Sequence, residues 1–195
     1  MRRSVEVLMT RATLVLLAVL AAPSASAAPA APAAPPWSPV VAGVHGRLIA
    51  TAAKDPAGHA QVRLELELEN TSDSAAPIAI GWGSLSGMVQ LTLEDESGKA
   101  IEEDHVGGNE ISGPPFALQL PVSSTLRVTL SPAAYEYVPA GRTMLRPFSL
   151  KAWDLPAKPT KLYLRAKFVP YAGSDAHVGP HAWAGPLELP RVQLP

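Results

Sequence analysis

The 195-residue chain contains no cysteine, so its fold cannot depend on disulfide bridges and must rest on packing alone. It also lacks an excess of charge of either sign, with 16 basic and 17 acidic residues. Nucleic acids and anionic membranes are bound by surfaces rich in basic residues. The composition therefore gives no support for either as a partner.

The chain has only one long apolar run, at residues 12–22, and that run lies at its N-terminus. Arg2, Arg3 and Arg11 precede it, and the small-residue triplet Ala25-Ser26-Ala27 follows it. This is the layout of a secretory signal peptide, and the run is shorter than the roughly 20 residues that span a bilayer. We expect cleavage after Ala27, a secreted or periplasmic protein, and no transmembrane segment in the mature chain.

Residues 28–36 consist only of alanine and proline. Proline fixes φ and lacks the N–H donor that a sheet requires, so this segment is expected to be an extended linker. We divide the chain into a signal peptide at 1–27, a linker at 28–36 and one domain at 37–195. Without the signal peptide, which holds three arginines and one glutamate, the formal net charge changes from −1 to −3.

Sustained helical periodicity is absent, whereas a period of two is clear at residues 62–70, Val-Arg-Leu-Glu-Leu-Glu-Leu-Glu-Asn. Side chains in a strand point alternately to opposite faces. The segment therefore predicts a strand with a buried leucine face and a solvated glutamate face, as is typical of antiparallel sheets.

Residues 124–130 and 161–169 repeat the alternation, and turn-forming clusters recur about every ten residues along the chain. The pattern predicts an all-β fold, specifically a single Ig-like antiparallel β-sandwich of about eight to nine strands.

The layout of residues 62–98 resembles bacterial Ig-like domains of the intracellular proteinase inhibitor (BsuPI) type, found among secreted and mostly uncharacterised proteins. A leucine-alternating strand ends at Asn70, a Pro-Ile-x-Ile strand follows, and Asp95, Gly98 and Lys99 form a D-x-x-G-K hairpin. The resemblance implies a β-sandwich and carries no inhibitory residue over to this chain.

No catalytic motif is present. The segment Gly83-Ser84-Leu85-Ser86-Gly87 lacks the glycine spacing of a nucleophile elbow. We therefore predict a non-enzymatic module without a cofactor, which binds another envelope or extracellular protein. The candidate binding residues are Trp82, which lies between two glycines, and Phe116, which follows two prolines, in the loops at 81–87 and 107–116.

Two alternative functions remain open at this point. A protease inhibitor of the Ig-like type would insert the loop at 107–115 into a protease cleft. A metal-binding protein would use Asp175, His177 and His181, whose carboxylate and imidazole groups are suitable ligands. Acidic side chains at 94–96 and 102–104 are a further candidate, for calcium.

Overall fold

Antiparallel strands dominate the computed structural model of this chain, which describes residues 34–105, 114–138, 142–146, 151–155, 161–172 and 182–195. These residues belong to the unit Ala33–Pro195. In chain order its elements are β1 Val44–Lys54, β2 Ala60–Asn70, β3 Ile78–Trp82, α1 Leu85–Met88, β4 Val89–Glu94, β5 Glu103–His105, β6 Phe116–Leu120, β7 Thr125–Val138, β8 Arg142–Arg146, β9 Lys151–Asp154, β10 Tyr163–Phe168 and β11 Leu187–Gln193.

The strands form three antiparallel sheets within the described residues. Six strands lie in the order β1-β2-β7-β8-β9-β5, three in the order β11-β10-β4, and two, β3 and β6, pair with each other. The only helix in the described part is the single turn α1. The predicted all-β class is therefore confirmed. No helix of the described chain has the length and hydropathy needed to span a membrane.

One hydrophobic core receives side chains from all three sheets. The leucines of β2 at 64, 66 and 68 are fully buried, as their alternation predicted. Leu164 and Phe168 of β10 and Ile80 of β3 are equally inaccessible to water. Burial of each such side chain contributes about 1.5–3 kcal/mol, which explains how a chain without disulfides can hold three sheets together.

The glutamate face of β2 is not solvated, so that prediction is wrong for two of its three residues. Glu67 is 2% exposed and Glu65 is 9% exposed. Strand register places Glu67 between Arg47 on β1 and Arg127 on β7. Both guanidinium groups donate hydrogen bonds to its carboxylate. Alternation identifies the outer face correctly, but the neighbouring strands supply arginines that cover it.

The start of the outer edge of β1 is covered by the segment that precedes it. Ser38 donates its backbone N–H to the Gly46 carbonyl at 2.8 Å, and its hydroxyl accepts the Gly46 N–H at 3.0 Å. Trp37 stacks on His45 with ring centroids 4.2 Å apart, and the Arg47 guanidinium lies 4.3 Å from the Trp37 ring centroid. These contacts protect the first residues of an edge that could otherwise pair with another chain.

The described chain holds eleven strands, more than the eight or nine expected, because several are only three to five residues long. Strand β6 is the clearest case. Its five residues lie between Pro115 and Pro121, and prolines so close to both ends obscure the strand pattern in the sequence.

Candidate functional site

The two aromatic residues chosen from the sequence lie opposite each other on paired strands but in different environments. Register joins Trp82 at the end of β3 to Phe116 at the start of β6. Trp82 is 8% exposed and packs against Phe168 with ring centroids 6.1 Å apart, whereas Phe116 is 48% exposed. The indole therefore belongs to the core, and Phe116 presents the accessible aromatic surface.

An open cavity of about 530 Å³ lies beside this pair of strand ends. It is lined by loop residues 83, 84, 87 and 88, by Pro115, and by residues 169–172. None of these side chains is charged. We call Phe116 together with the residues that line this cavity the apolar end surface.

Local backbone contacts shape the cavity. Tyr171 donates its backbone N–H to the Gly81 carbonyl at 3.0 Å, which holds the segment at 169–172 against β3. A Cβ at Gly83 would lie 3.3 Å from the Tyr171 ring, so glycine permits this close approach. The backbone N–H of Gly83 in turn points at the Met88 sulfur, 2.9 Å away, across the short turn α1. Gly83, which follows Trp82 in sequence, thus serves the loop geometry around it.

Sequence reasoning singled out the loop at 81–87 and Phe116 but not residues 169–172, which line the same cavity. Strand β10, which ends at Phe168, and the backbone hydrogen bonds from Val169 to Met88 and from Tyr171 to Gly81 bring this segment to the loop. Pro170 and Tyr171 directly follow a predicted strand, and that position was the available signal for a functional loop.

Two of the acidic side chains considered for calcium, Glu94 and Asp95, have other partners. Glu94 is 2% exposed, accepts a hydrogen bond from Arg165 and lies 3.5 Å from the Arg191 guanidinium. The Asp95 carboxylate accepts hydrogen bonds from Ser97 and Lys99, and these contacts hold its pKa below the usual 3.8, with the Ser97 hydroxyl as the largest cause. Asp95 thus serves the turn that joins the two arms of the hairpin.

A smaller cavity of about 320 Å³ lies between Ile101, Glu102, Glu103 and Asp154. Within the described ranges, no group of three or more His, Cys, Asp or Glu side chains is arranged to hold a metal ion. Asp175, His177 and His181 lie outside those ranges, as do residues 107–113 of the loop considered for protease inhibition.

Two other histidines have defined partners. His45 pairs with Glu69 at 2.9 Å on the outer face of the six-stranded sheet. His59 pairs with Asp55 at 2.8 Å in the turn between β1 and β2, and the hydrogen bond from its side chain is the largest cause that lowers the pKa of Asp55. Both pairs serve the local structure of the β1–β2 hairpin.

Comparison of the chain with protein-family models, curated proteins and solved structures finds no match. The arrangement at the apolar end surface is thus the main basis for assigning a function.

Proposed function

We propose that this protein is a secreted or periplasmic, non-enzymatic module that binds another envelope or extracellular protein through the apolar end surface. The single observation that carries the proposal is the cavity of about 530 Å³ beside an exposed aromatic ring. Binding pockets have volumes of about 300–1,000 Å³ and are lined mostly by apolar side chains.

The surface has the composition of a protein-binding site. Phe116 and Val40 are the two large apolar residues that are exposed in the described chain. Phe116 lies next to the cavity of about 530 Å³, since Pro115 lines that cavity and directly precedes it. Aromatic side chains next to uncharged pockets are typical anchors of protein interfaces.

We also propose that the domain is an Ig-like β-sandwich. The six-stranded and three-stranded sheets contribute to a common core, and their inward-facing leucines alternate with outward-facing polar residues. In such folds the loops at one end of the sandwich carry the binding function. The apolar end surface, which is built from strand ends and connecting segments, fits that arrangement.

The test is capture of crosslinked partners from an envelope fraction with the immobilised protein. Phe116→Ala should reduce the captured partner on the order of ten-fold, since truncated aromatic anchors cost about 2 kcal/mol or more. Gly87→Phe should add a large side chain at the cavity wall without strain, because Gly87 lines the cavity and a Cβ there meets nothing within 4 Å. The matched control is Val40→Ala, which removes an equally exposed apolar side chain elsewhere.

Stability measurements separate loss of binding from loss of fold. Phe116→Ala should change the free energy of unfolding by less than about 0.5–1 kcal/mol, because the ring is half exposed. Trp82→Ala should lower the free energy of unfolding by about 3–5 kcal/mol, because it leaves a cavity in the core. Equal capture by the wild type, Phe116→Ala and Gly87→Phe would rule out this surface as the binding site.

A further inference from the structure

Among the described residues, β3 is the only strand that pairs with β6. Contacts on the far side of β3 show which residues of β6 face away from it. Trp183 donates its backbone N–H to the Ala79 carbonyl at 2.6 Å, and Tyr171 donates to the Gly81 carbonyl at 3.0 Å. These two carbonyls therefore point away from β6. In an antiparallel pair, the residues opposite them form the pairs that are not hydrogen-bonded.

The residues opposite Ala79 and Gly81 on β6 are Gln119 and Ala117. Their backbone N–H and C=O groups consequently face away from β3, which gives four hydrogen-bonding groups along one edge. Throughout the part of the chain that the structure describes, no backbone or side-chain hydrogen bond reaches them. The far edge of β3 is covered by the two donors named above, and the edge of β1 is covered at Val44 and Gly46 by the segment that precedes it.

The open edge is short, uncharged and bounded by prolines. Residues 114–121 read Pro-Pro-Phe-Ala-Leu-Gln-Leu-Pro, with no charged side chain. Pro115 and Pro121 occupy the next positions that face the same side as Ala117 and Gln119, and neither has an N–H to donate. Proline limits the length of an exposed edge, but the charged residues that usually discourage pairing are absent here.

We propose that this edge pairs with the same edge of a second copy of the chain, antiparallel and centred on Leu118. Ala117 of each copy then lies opposite Gln119 of the other. The four open groups of one copy pair with the four open groups of the other, which gives four hydrogen bonds across the interface. Pro115 lies opposite Pro121, so the two positions without a donor face each other. The paired β3–β6 sheets join into one four-stranded sheet.

Two observations favour a second copy as the occupant. The prolines lie at equal distances on either side of Leu118, so a two-fold axis matches them. The edge carries no charge, so identical edges do not repel each other. Isologous two-fold dimers are the commonest protein oligomers.

The expected association is weak, because a five-residue edge buries far less than the roughly 800 Å² per partner of a standard interface. We expect a dissociation constant on the order of 100 µM. Sedimentation equilibrium of the purified secreted protein from about 10 µM to about 1 mM should show a monomer–dimer equilibrium.

Substitution at the edge tests the backbone pairing directly. Gln119→Pro removes an outward N–H without removing a bond to β3, and should weaken association at least about ten-fold. The matched control Gln119→Thr changes the same side chain but keeps the N–H, and should associate like the wild type. Dimerisation that survives Gln119→Pro unchanged, or a protein that stays monomeric over the whole range, would overturn the proposal.

A cysteine crosslink tests the register without relying on the proline variant. Leu118 would face its own copy in a pair that is not hydrogen-bonded, where Cα atoms are about 4.5 Å apart and a disulfide can form. The chain has no other cysteine, so mild oxidation of Leu118→Cys should yield a covalent dimer. The control is Gln90→Cys, at an exposed position of β4, and its yield of covalent dimer should be at least about ten-fold lower. Equal yields would contradict the register.

This inference goes beyond the proposed function and fails separately from it. Gln119→Pro alters the strand edge and leaves the cavity lining intact, whereas Gly87→Phe changes the cavity lining and leaves the edge intact. A protein that stays monomeric but still captures its partner would contradict only the proposed dimer. A protein that dimerises but captures no partner would contradict only the proposed binding surface.

Discussion

Glu67 illustrates how a polar residue at a surface position of a strand becomes part of the interior. Its side chain is 3% exposed, and it lies between Arg47 and Arg127 on the adjacent strands. Burial alone would raise the pKa of Glu67, but hydrogen bonds from the two arginines outweigh burial and hold it below the usual 4.5. The charged form is therefore the one that the folded protein favours.

Glu67→Gln should lower the free energy of unfolding at pH 7 by about 1–3 kcal/mol, because the amide no longer neutralises two guanidinium groups. The cost stays below that of a fully buried pair, since the Arg127 side chain is 57% exposed and can be hydrated. Because the folded pKa is lowered, this stabilisation is complete above pH 4.5 and is lost as the pH falls through the folded value.

Urea denaturation at pH 7 and at pH 3 measures both effects. The difference between wild type and Glu67→Gln should shrink at the lower pH. Glu69→Gln is the matched control on the same face, where the side chain is 31% exposed, and it should cost less than about 1 kcal/mol. A pH-independent difference for Glu67→Gln would contradict the proposed role of its charge.

At the scale of single elements, tight turns and one buried amide hold the strands in place. Ala42 and Gly43 turn the chain with positive φ values of 47° and 84° immediately before β1. Asn70, fully buried at the end of β2, donates its side-chain amide to the Leu120 carbonyl at 2.9 Å and accepts the Ser72 N–H at 3.0 Å. The six-stranded and two-stranded sheets are thereby joined at their ends.

Gly43→Ala and Gly58→Ala form a matched pair, because both glycines have a positive φ, 84° and 89°. Alanine in this conformation costs about 1–2 kcal/mol. A Cβ at Gly43 would also lie 2.8 Å from the Ser72 Cβ, whereas a Cβ at Gly58 meets nothing within 4 Å. Chemical denaturation should show that Gly43→Ala lowers the free energy of unfolding by about 1–3 kcal/mol more than Gly58→Ala does. Equal costs would show that the turn at Gly43 relaxes.

At the scale of the whole molecule, the fold depends on pairing between distant parts of the chain. Strand β2 pairs with β7, so that Glu67 lies opposite Arg127. Such non-local pairing must form without help from disulfides, because no cysteine is present. One shared core, rather than any covalent link, accounts for the association of the three sheets.

The proposed export of the molecule makes a direct prediction about its N-terminus. The secreted protein should begin at Ala28, because Ala25 and Ala27 provide the small residues required before a cleavage site. Intact-mass measurement of the protein recovered from the envelope or the medium would detect this end. Ala27→Leu should prevent or shift cleavage, while Ala30→Leu, beyond the site, should leave it unchanged. A recovered chain that retains residues 1–27 would contradict the prediction.

The sequence by itself determined the all-β class and the buried face of β2, because a period of two is a local property of any strand. It also indicated the loop at 81–87 and Phe116, since glycines and prolines interrupt strands locally.

Only the tertiary structure decided the rest. Burial of Glu67 depends on arginines 20 and 60 residues away, and the cavity depends on residues 169–172 reaching a loop more than 80 residues earlier. The open side of β6 likewise follows from bonds on the far side of its partner strand. Each of these features arises from strand order and register, which alternation along a single segment does not encode.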